Sequence, residues 1–489
     1  MAAFIKFNRI SRDTFLYIPV FLAPAIINIV LLMAFTRFFS PKEYGDYTIV
    51  VNTTIIISSL LAQWIVLSVQ RFRPEYLNKG KTKDFNDHLN KLLLYISIGF
   101  LLAAVVLYIC YPPLLNKYQS YYWSSVLLIV SSIYFMVLGS IYQADLQAKA
   151  YRNLNVIQSI LKLVIIVLIV LYISFKPNSF IWGTLIAQAV VTIPMLRYVD
   201  TLKMFSSNIG KQSFIEFTGK LWKYGFPLIG WYIGTTIMNL TDRYMLEYYR
   251  SSFEVGVYSA NFTIAVQAIA LICNPLFFAI QPIMMNEIQQ NGDKNMIEQR
   301  ISNFTGLFII VAMPFGAYFS IYQREVSNLL LGNQFTSGAI IIPILIFGFF
   351  AWNIGLYGQL TYQIGKKTKE MFYFVVIAAL CNFLLNLYFI PKWGFVGASI
   401  STTIGFIVYS GFLYFFSMKS IKWKIPWNML IKTIVMVIVI GIPTALLKQH
   451  LFGNLSPLLS MIIGLPFFLV YLGIVWFFEK NYIKQMISK

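Results

Sequence analysis

The chain has 489 residues, of which 58% are hydrophobic and only 11% are charged, and its mean hydropathy is +0.70. A soluble protein of this length would carry about 25% charged residues, so the composition excludes an ordinary soluble globular domain. Apolar runs long enough to cross a hydrocarbon core of about 30 Å recur along the whole chain. The sequence therefore predicts an all-α polytopic membrane protein.

The apolar runs predict fourteen membrane-spanning helices. In chain order we place these spans at residues 14–36, 48–70, 91–111, 122–143, 154–175, 179–199, 224–246, 256–281, 301–321, 336–361, 371–390, 394–417, 427–447 and 456–478. Most of the 38 Lys and Arg residues then fall in alternate loops, and the positive-inside rule identifies those loops as cytoplasmic. We expect a multi-pass protein of the bacterial cytoplasmic (inner) membrane with both termini in the cytoplasm.

The net charge of +20 lies mainly in these loops, which favours anionic lipid head groups as partners and argues against nucleic acid. No loop is long enough to hold a catalytic domain, so we do not expect an enzyme. The three Cys residues lie in or beside apolar runs and the two His residues lie outside the spans. Because none has the spacing of metal ligands, we expect no metal site and no cofactor.

A short motif with the pattern E-x-G-x-Y occurs twice, at residues 43–47 and 254–258. The two copies are 211 positions apart and precede predicted spans 2 and 8, in loops expected on the outer side. This repeat predicts two pseudo-symmetric six-helix lobes, residues 1–210 and 211–424, followed by two additional helices in 425–489. Because six is even, both lobes have the same orientation, which is a typical arrangement for transport by alternating access.

Several short motifs resemble one family of membrane transporters. They are S-P-K-E-Y-G-D-Y from residue 40, T-D-R-Y-M-L from 241, S-F-E-V-G-V-Y-S from 252 and G-F-V-G-A-S from 394. With the helix count and the repeat, they resemble the polysaccharide-flippase (Wzx-like) branch of the multidrug/oligosaccharidyl-lipid/polysaccharide exporter superfamily. The resemblance implies a V-shaped, two-lobed transporter that flips undecaprenyl-pyrophosphate-linked oligosaccharides to the outer leaflet. Such units supply cell-surface polysaccharides such as O-antigen lipopolysaccharide or capsule.

One basic residue, Lys162, lies well inside predicted span 5. Because charge inside a membrane is costly, it is a candidate functional residue. Asn155, Gln158 and Ser159 share its helical face, and the resulting polar stripe suits sugar hydroxyls or phosphate. The alternative is a polar contact between helices, with the lysine reaching for the membrane surface.

Two arginines, Arg71 and Arg73, end span 2 at the predicted cytoplasmic mouth of a cavity. Their forked guanidinium groups would suit a pyrophosphate. Spans 2 and 8 also carry matching rows of amide side chains, which suit sugar hydroxyls. The predicted amide residues are Gln63, Gln70, Gln267, Asn274 and Gln281. The alternatives are ordinary positive-inside flanking for the arginines and helix–helix hydrogen bonding for the amides.

Two charged neighbours, Asp242 and Arg243, lie near the outer end of span 7. We expect Asp242 to form a structural or gating salt bridge, and Arg243 to face the cavity or the head groups. The repeated motif is predicted to form two outer loops that approach each other, with its glycines at turns of positive φ and its tyrosines at the head-group boundary. A proline in span 8 can kink its helix. These gating candidates are Glu43, Gly45, Glu254, Gly256 and Pro275.

A cation-coupled multidrug antiporter of the same fold, or a flippase for another lipid-linked precursor, is the alternative function. An antiporter for cations should carry acids deep in its lobes, whereas the 18 acidic residues here lie outside the spans or near their ends. Lys162 instead favours an anionic ligand. A scaffold or a glycan-assembling enzyme fits less well, because the repeat indicates transport and the outer loops are short. The expected partners are a lipid-linked oligosaccharide and other glycan-assembly membrane proteins.

Overall fold

The computed structural model describes residues 22–110, 113–200, 209–289, 294–365, 367–417, 421–451 and 455–487. This described part of the chain is almost entirely helical and contains no strand. The helices are α1 (Leu22–Phe38), α2 (Pro41–Asn78), α3 (Thr82–Ile109), α4 (Tyr122–Ala144), α5 (Ala148–Tyr172), α6 (Asn178–Tyr198), α7 (Lys211–Tyr249), α8 (Ser252–Gln289), α9 (Lys294–Ile321), α10 (Gln323–Leu330), α11 (Ile341–Ile364), α12 (Thr368–Phe415), α13 (Trp427–Leu451), α14 (Pro457–Gly464) and α15 (Pro466–Ile487). Two 3-10 helices, Pro113–Tyr121 and Asn333–Ile340, precede α4 and α11.

Within the described ranges, 11 helical segments are long and apolar enough to cross a membrane, judged by length and composition. Three features account for the difference from the fourteen predicted spans. Part of the predicted span 14–36 lies outside the described residues, which begin at Leu22; α7 carries more polar residues, and α12 contains two spans in one helix. These two spans meet at Gly394, whose φ of 56° and ψ of −133° break the helix. The all-α polytopic fold class is confirmed.

The helices extend beyond the apolar runs on the predicted cytoplasmic side. Residues 71–90, which we expected to form a loop, are helical except for a short turn at Gly80, whose φ is 65°. The Tyr76 and Phe85 rings pack 5.0 Å apart on either side of this turn, and Phe85 is fully buried. The expectation of a loop was wrong because these helix ends are stabilised by packing rather than by the hydropathy of the segment.

The described residues form two compact units. The first takes in the described residues up to Leu31 together with Asp46–Thr236, and thus contains most of α2, all of α3 to α6 and the first part of α7. Its core is built from fully buried apolar side chains of α2, α3 and α4. They include Ile65, Phe85, Leu93, Ile133, Val137 and Ile141.

The second unit takes in Leu32–Gly45 and the described residues from Ile237 onward. Its centre is α11, which packs against α8, α9 and α12. Gly348 and Gly355 let α11 lie directly against Thr403 and Ser410 of α12, in the manner of small residues at membrane helix contacts. The boundaries at 210 and 424 that the repeat predicts remain a prediction.

The connection between α12 and α13 is anchored on the second unit. The backbone N–H of Lys422 donates to Glu298 Oε1 at 2.8 Å, and Lys424 Nζ lies 2.8 Å from Glu298 Oε2. Between these two lysines, Trp423 is buried against Gly358 of α11. The described residues just before α13 are therefore bonded to this unit.

Candidate functional site

The repeated motif begins two helices rather than forming two loops. Ser40 precedes Pro41, the first residue of α2, and its N–H and Oγ both donate to Glu43 Oε2 at 2.8 Å. At the second copy, the N–H of Glu254 donates to Ser251 Oγ at 3.4 Å. The arrangement Ser-x-x-Glu is a capping box, which satisfies backbone donors that a helix start leaves free. The loop expected at each copy was therefore wrong, because the same residues specify a helix start.

The two motif glycines lie against each other. A Cβ placed on Gly45 would overlap the Ser252 carbonyl oxygen and lie 3.0 Å from the Gly256 nitrogen. A Cβ placed on Gly256 would overlap the Pro41 carbonyl oxygen and lie 3.1 Å from the Gly45 nitrogen. Neither glycine has a positive φ, so the predicted turn conformation was wrong. Glycine is needed because the backbones of α2 and α8 approach too closely for any side chain. We call these four residues the outer contact.

Neighbouring side chains hold the start of α2 in this position. The Tyr44 ring packs edge-on against Phe35 at 5.0 Å and against Phe335 at 5.9 Å. Arg37 at the end of α1 donates to the Leu329 carbonyl oxygen at 3.0 Å. The outer contact is therefore one part of a larger packed region within the second unit.

The two glutamates of the motif have different partners. Glu43 turns back to its own helix start, whereas Glu254 Oε2 accepts the N–H of Phe395 at 3.1 Å. Phe395 follows Gly394, so Glu254 caps the helix that restarts after the break in α12. Arg250 lies 4.0 Å from Glu254 and donates to the Ile390 carbonyl oxygen at 3.1 Å. Glu254 thereby ties α8 to α12.

The second motif also contacts a buried carboxyl group in α7. Tyr258 donates to Asp242 Oδ2 at 2.7 Å, and Asn386 donates to Asp242 Oδ1 at 2.6 Å. Thr402 donates to the same carboxyl group, and Asn382 lies 3.2 Å from Asn386. We call these five residues the Asp242 cluster. It joins α7 and α8 to both halves of α12 and is fully enclosed, so the expected head-group position of Tyr258 was wrong.

Arg243 lies beside this cluster but on another face of α7. Its guanidinium lies 4.4 Å from the centre of the Phe262 ring and 5.5 Å from that of Tyr258, and it donates to the Asn239 carbonyl oxygen. Its side chain is buried, so in this conformation it contacts aromatic rings rather than solvent. The expected salt bridge of Asp242 is replaced by neutral donors from α8 and α12.

Lys162 contacts another helix within the first unit. Its Nζ donates to Asn28 Oδ1 of α1 at 3.1 Å. On the same face of α5, Asn155 and Ser159 donate to backbone carbonyl oxygens of their own helix, and Gln158 is half-buried. The polar stripe is thus present on α5, and Lys162 is its contact with α1.

The two candidate arginines of α2 differ sharply. Arg73 is buried, forms a two-pronged pair with Asp145 at 2.9 and 3.0 Å, and also donates to Asn86. Arg71 is exposed and lies 2.9 Å from Glu75, one turn along the same helix. The guanidinium group of Arg73 therefore binds a partner inside the protein.

Replacing Arg73 with methionine is expected to lower the free energy of unfolding by about 3–5 kcal/mol, because the buried Asp145 would lose its charged partner and keep only the hydroxyl of Tyr198. Arg71→Met is the matched control, and an exposed pair of this spacing contributes only about 0.3–0.5 kcal/mol. Both values are measured by unfolding the purified protein in mixed micelles. Wild-type stability together with lost transport in Arg73→Met would instead indicate a substrate contact.

The amide side chains predicted on spans 2 and 8 do not all meet in the structure. Gln70 donates to Gln143 of α4 at 2.7 Å, which is a helix–helix contact. Gln63, Gln267 and Asn274 are half-buried. The side chains of Gln281 and Pro275 lie outside the described part of the structure. A shared amide-lined cavity remains a prediction.

The sequence reasoning missed the partners of Asp242 and Lys162. Asn382 and Asn386 are one turn apart in a strongly apolar span, and this spacing was a visible signal. Asn28 and Thr402 carried no such signal. Among the described residues, no group of three or more His, Cys, Asp or Glu side chains could hold a metal ion.

Comparison with solved structures shows the fold. The lipid II flippase MurJ in an inward-closed conformation matches 94% of this chain and 98% of its own, with a TM-score of 0.75 and 15% identity. An inward-facing multidrug resistance MATE family transporter of the MOP superfamily matches 86% of this chain and 94% of its own, with a TM-score of 0.62 and 11% identity. The chain therefore has the fold of these transporters.

Relatives by sequence include two archaeal proteins. An uncharacterised membrane protein of Methanocaldococcus jannaschii is 23% identical over 456 residues, which is 86% of either chain. A probable low-salt glycan biosynthesis flippase of Haloferax volcanii is 25% identical over 311 residues, covering 60% of this chain and 61% of the relative. The family model described as polysaccharide biosynthesis protein matches residues 10–288. Since this match spans more than half of the sequence, the chain belongs to the polysaccharide biosynthesis protein family.

Proposed function

We propose that the protein flips a polyprenyl-pyrophosphate-linked oligosaccharide from the inner to the outer leaflet for cell-surface polysaccharide biosynthesis. The observation that carries this proposal is the outer contact, in which the repeated motifs meet through Gly45 and Gly256. Two helix starts that pack backbone to backbone leave no space between them. The outer contact therefore suits a gate that closes the outer side while substrate binds from the cytoplasm. A transporter needs such a gate, whereas an enzyme does not.

The charge of the substrate is inferred from the residues within the spans. Lys162 supplies a positive charge in the first unit, and its contact with Asn28 is a single hydrogen bond to an uncharged amide oxygen. A pyrophosphate would be a stronger partner than an amide oxygen, because both the donor and the acceptor would then carry charge. An anionic head group can thus displace Asn28 from the lysine.

A cation-coupled multidrug antiporter is the second candidate. Asp242 favours it, since a carboxyl group enclosed in the second unit is the kind of residue that such an antiporter uses. The carboxylate oxygens of Asp242 already accept hydrogen bonds from three neutral donors. The cluster is therefore better suited to holding the helices together than to binding a cationic drug.

We further propose that the protein is not an enzyme and works in the cytoplasmic membrane with both termini inside. Our expectation named a bacterial membrane, and the archaeal relatives extend the proposal to archaeal membranes. Its expected partners are lipid-linked glycans, surrounding lipids and other membrane proteins of glycan assembly.

Replacing Lys162 with glutamate is expected to abolish glycan export while leaving the amount of protein in the membrane unchanged. A carboxylate at this position would repel the pyrophosphate, whereas Lys162→Arg keeps the charge and should retain partial export. Export is measured as surface polysaccharide in a strain without the native flippase, together with accumulation of the lipid-linked precursor.

Lys432→Glu is the matched control, because Lys432 is the other lysine inside a predicted span and lies on the exposed face of α13. This variant should export normally. Full export by Lys162→Ala would contradict the proposed role of the lysine. Export of organic cations instead of glycan precursor by the wild-type protein would favour the antiporter.

A further inference from the structure

The first part of α7 lies on α2 along one narrow line. Phe217, Leu221, Gly225 and Ile229 are buried and recur every fourth residue, which places them on one face of the helix. Ser68 of α2 donates to the Leu221 carbonyl oxygen at 2.8 Å. The rest of the circumference of α7 between residues 222 and 228 is exposed.

Three aromatic rings lie beside this line. Trp222 and Phe226 stack with their centres 4.2 Å apart and their planes 18° apart, and they are 45% and 47% exposed. The ring of the buried Trp64 of α2 lies nearly perpendicular to that of Trp222, at 76°, with the ring centres 5.1 Å apart. A Cβ on Gly225 would overlap the Trp64 carbonyl oxygen, so the two helices hold these rings at a fixed spacing. We call Trp64, Trp222 and Phe226 the aromatic step.

Three basic residues lie on the same two helices as the aromatic step. Lys223 follows Trp222 directly and is exposed, and Arg71 lies on the same part of α2. Lys220 packs its Nζ 4.2 Å from the Phe72 ring and 3.6 Å from Glu75. Arg71 and Lys220 both pair with Glu75, and Lys223 adds a further exposed charge, on the side that the basic loops predict to be cytoplasmic.

A sugar attached to pyrophosphate matches this combination. The C–H bonds on one face of a pyranose ring carry partial positive charge and pack on the electron-rich face of an aromatic ring. The cations beside the ring suit the phosphate oxygens. We propose that the aromatic step is a binding subsite for the first sugar next to the pyrophosphate, on the cytoplasmic side. This inference rests on the proposed function and names the residues that recognise the sugar.

Aromatic residues also anchor membrane proteins at the head-group level without binding a substrate. The chain offers a matched control for that role. Phe389 and Trp393 in α12 form a second stacked pair one turn apart, with centres 4.9 Å and planes 29° apart, and Trp393 is 51% exposed. Simple anchoring predicts the same behaviour for both pairs, whereas a sugar subsite predicts a difference.

The test measures binding of two soluble probes to the full-length protein in lipid nanodiscs. Farnesyl diphosphate carries the lipid and the pyrophosphate, and farnesyl-diphospho-N-acetylglucosamine adds one sugar. Trp222→Ala is expected to weaken binding of the sugar-bearing probe by roughly threefold to tenfold, the range for one lost aromatic contact, and to leave farnesyl diphosphate unchanged. Trp222→Phe should keep most of the binding, and Trp393→Ala should bind both probes as the wild type does.

The outcomes separate the subsite from the proposed function. If Trp222→Ala binds both probes as tightly as the wild type, or weakens both equally, the aromatic step does not recognise sugar. Equal effects of Trp222→Ala and Trp393→Ala would assign both pairs to membrane anchoring. If the wild type binds neither probe, the proposed function itself fails.

Discussion

Replacing Gly45 with leucine is expected to abolish transport and to hold the starts of α2 and α8 apart. Even alanine should impair transport, because a Cβ at this position overlaps the Ser252 carbonyl oxygen, which belongs to the backbone and cannot turn aside. Gly256→Leu should behave in the same way, since its Cβ overlaps the Pro41 carbonyl oxygen. Export of surface polysaccharide measures the first effect.

The opening itself is measured by labelling. Ser252 is 4% exposed, so a cysteine introduced by Ser252→Cys should react slowly with a membrane-impermeant maleimide added from outside. Gly45→Leu should make this labelling fast. Gly411→Leu is the matched control, because nothing described lies within 4 Å of a Cβ at Gly411. If Gly45→Leu exports normally, or stops export without changing the labelling rate of the introduced cysteine, the outer contact is not a gate.

The repeat in the sequence predicted which residues would meet, but not the conformation in which they meet. Two copies of one motif in equivalent positions lead to the expectation that they approach each other, and Gly45 and Gly256 do so. The expected loops were wrong because a glycine in a short segment between two apolar runs resembles a turn. The serine three residues before each glutamate carried the opposite signal, a helix start.

The candidate site was harder to predict because its contacts join distant parts of the chain. Arg73 has the same sequence surroundings as Arg71, yet its partner Asp145 lies 72 residues away and both side chains are buried. Asp242 likewise meets Asn386 from 144 residues away. A single sequence shows which residues are polar within an apolar span, and the packing of helices decides which of them pair.

Removing the carboxyl group of Asp242 is expected to cause the largest loss of stability in the second unit. Asp242→Ala would remove the acceptor that Tyr258, Asn386 and Thr402 share within an enclosed cluster. A buried donor that is left without its acceptor costs about 1–3 kcal/mol, and three donors share this one carboxyl group. The free energy of unfolding in mixed micelles measures the loss, and Asp242→Asn should lose less because an amide still offers one acceptor oxygen.

Two tyrosine variants show whether the carboxyl group is charged. Tyr258→Phe removes one hydrogen bond to Asp242 and should cost about 1.5–3 kcal/mol, the range for a charged acceptor. Tyr409→Phe is the matched control, because Tyr409 is equally enclosed and donates to the neutral Gln359 at 3.2 Å. That loss should be only about 0.5–1.5 kcal/mol. Equal losses would contradict a charged Asp242.

The same variants test whether the Asp242 cluster supports the outer contact. Tyr258 lies two residues after Gly256 on α8, so its bond to Asp242 fixes the segment of α8 that meets α2. Tyr258→Phe should therefore speed maleimide labelling of a cysteine introduced by Ser252→Cys, and Tyr409→Phe should not. Unchanged labelling in Tyr258→Phe would mean that the cluster stabilises the second unit without acting on the gate. Faster labelling would show that the motif tyrosine links the buried carboxyl group to the closure of the outer side.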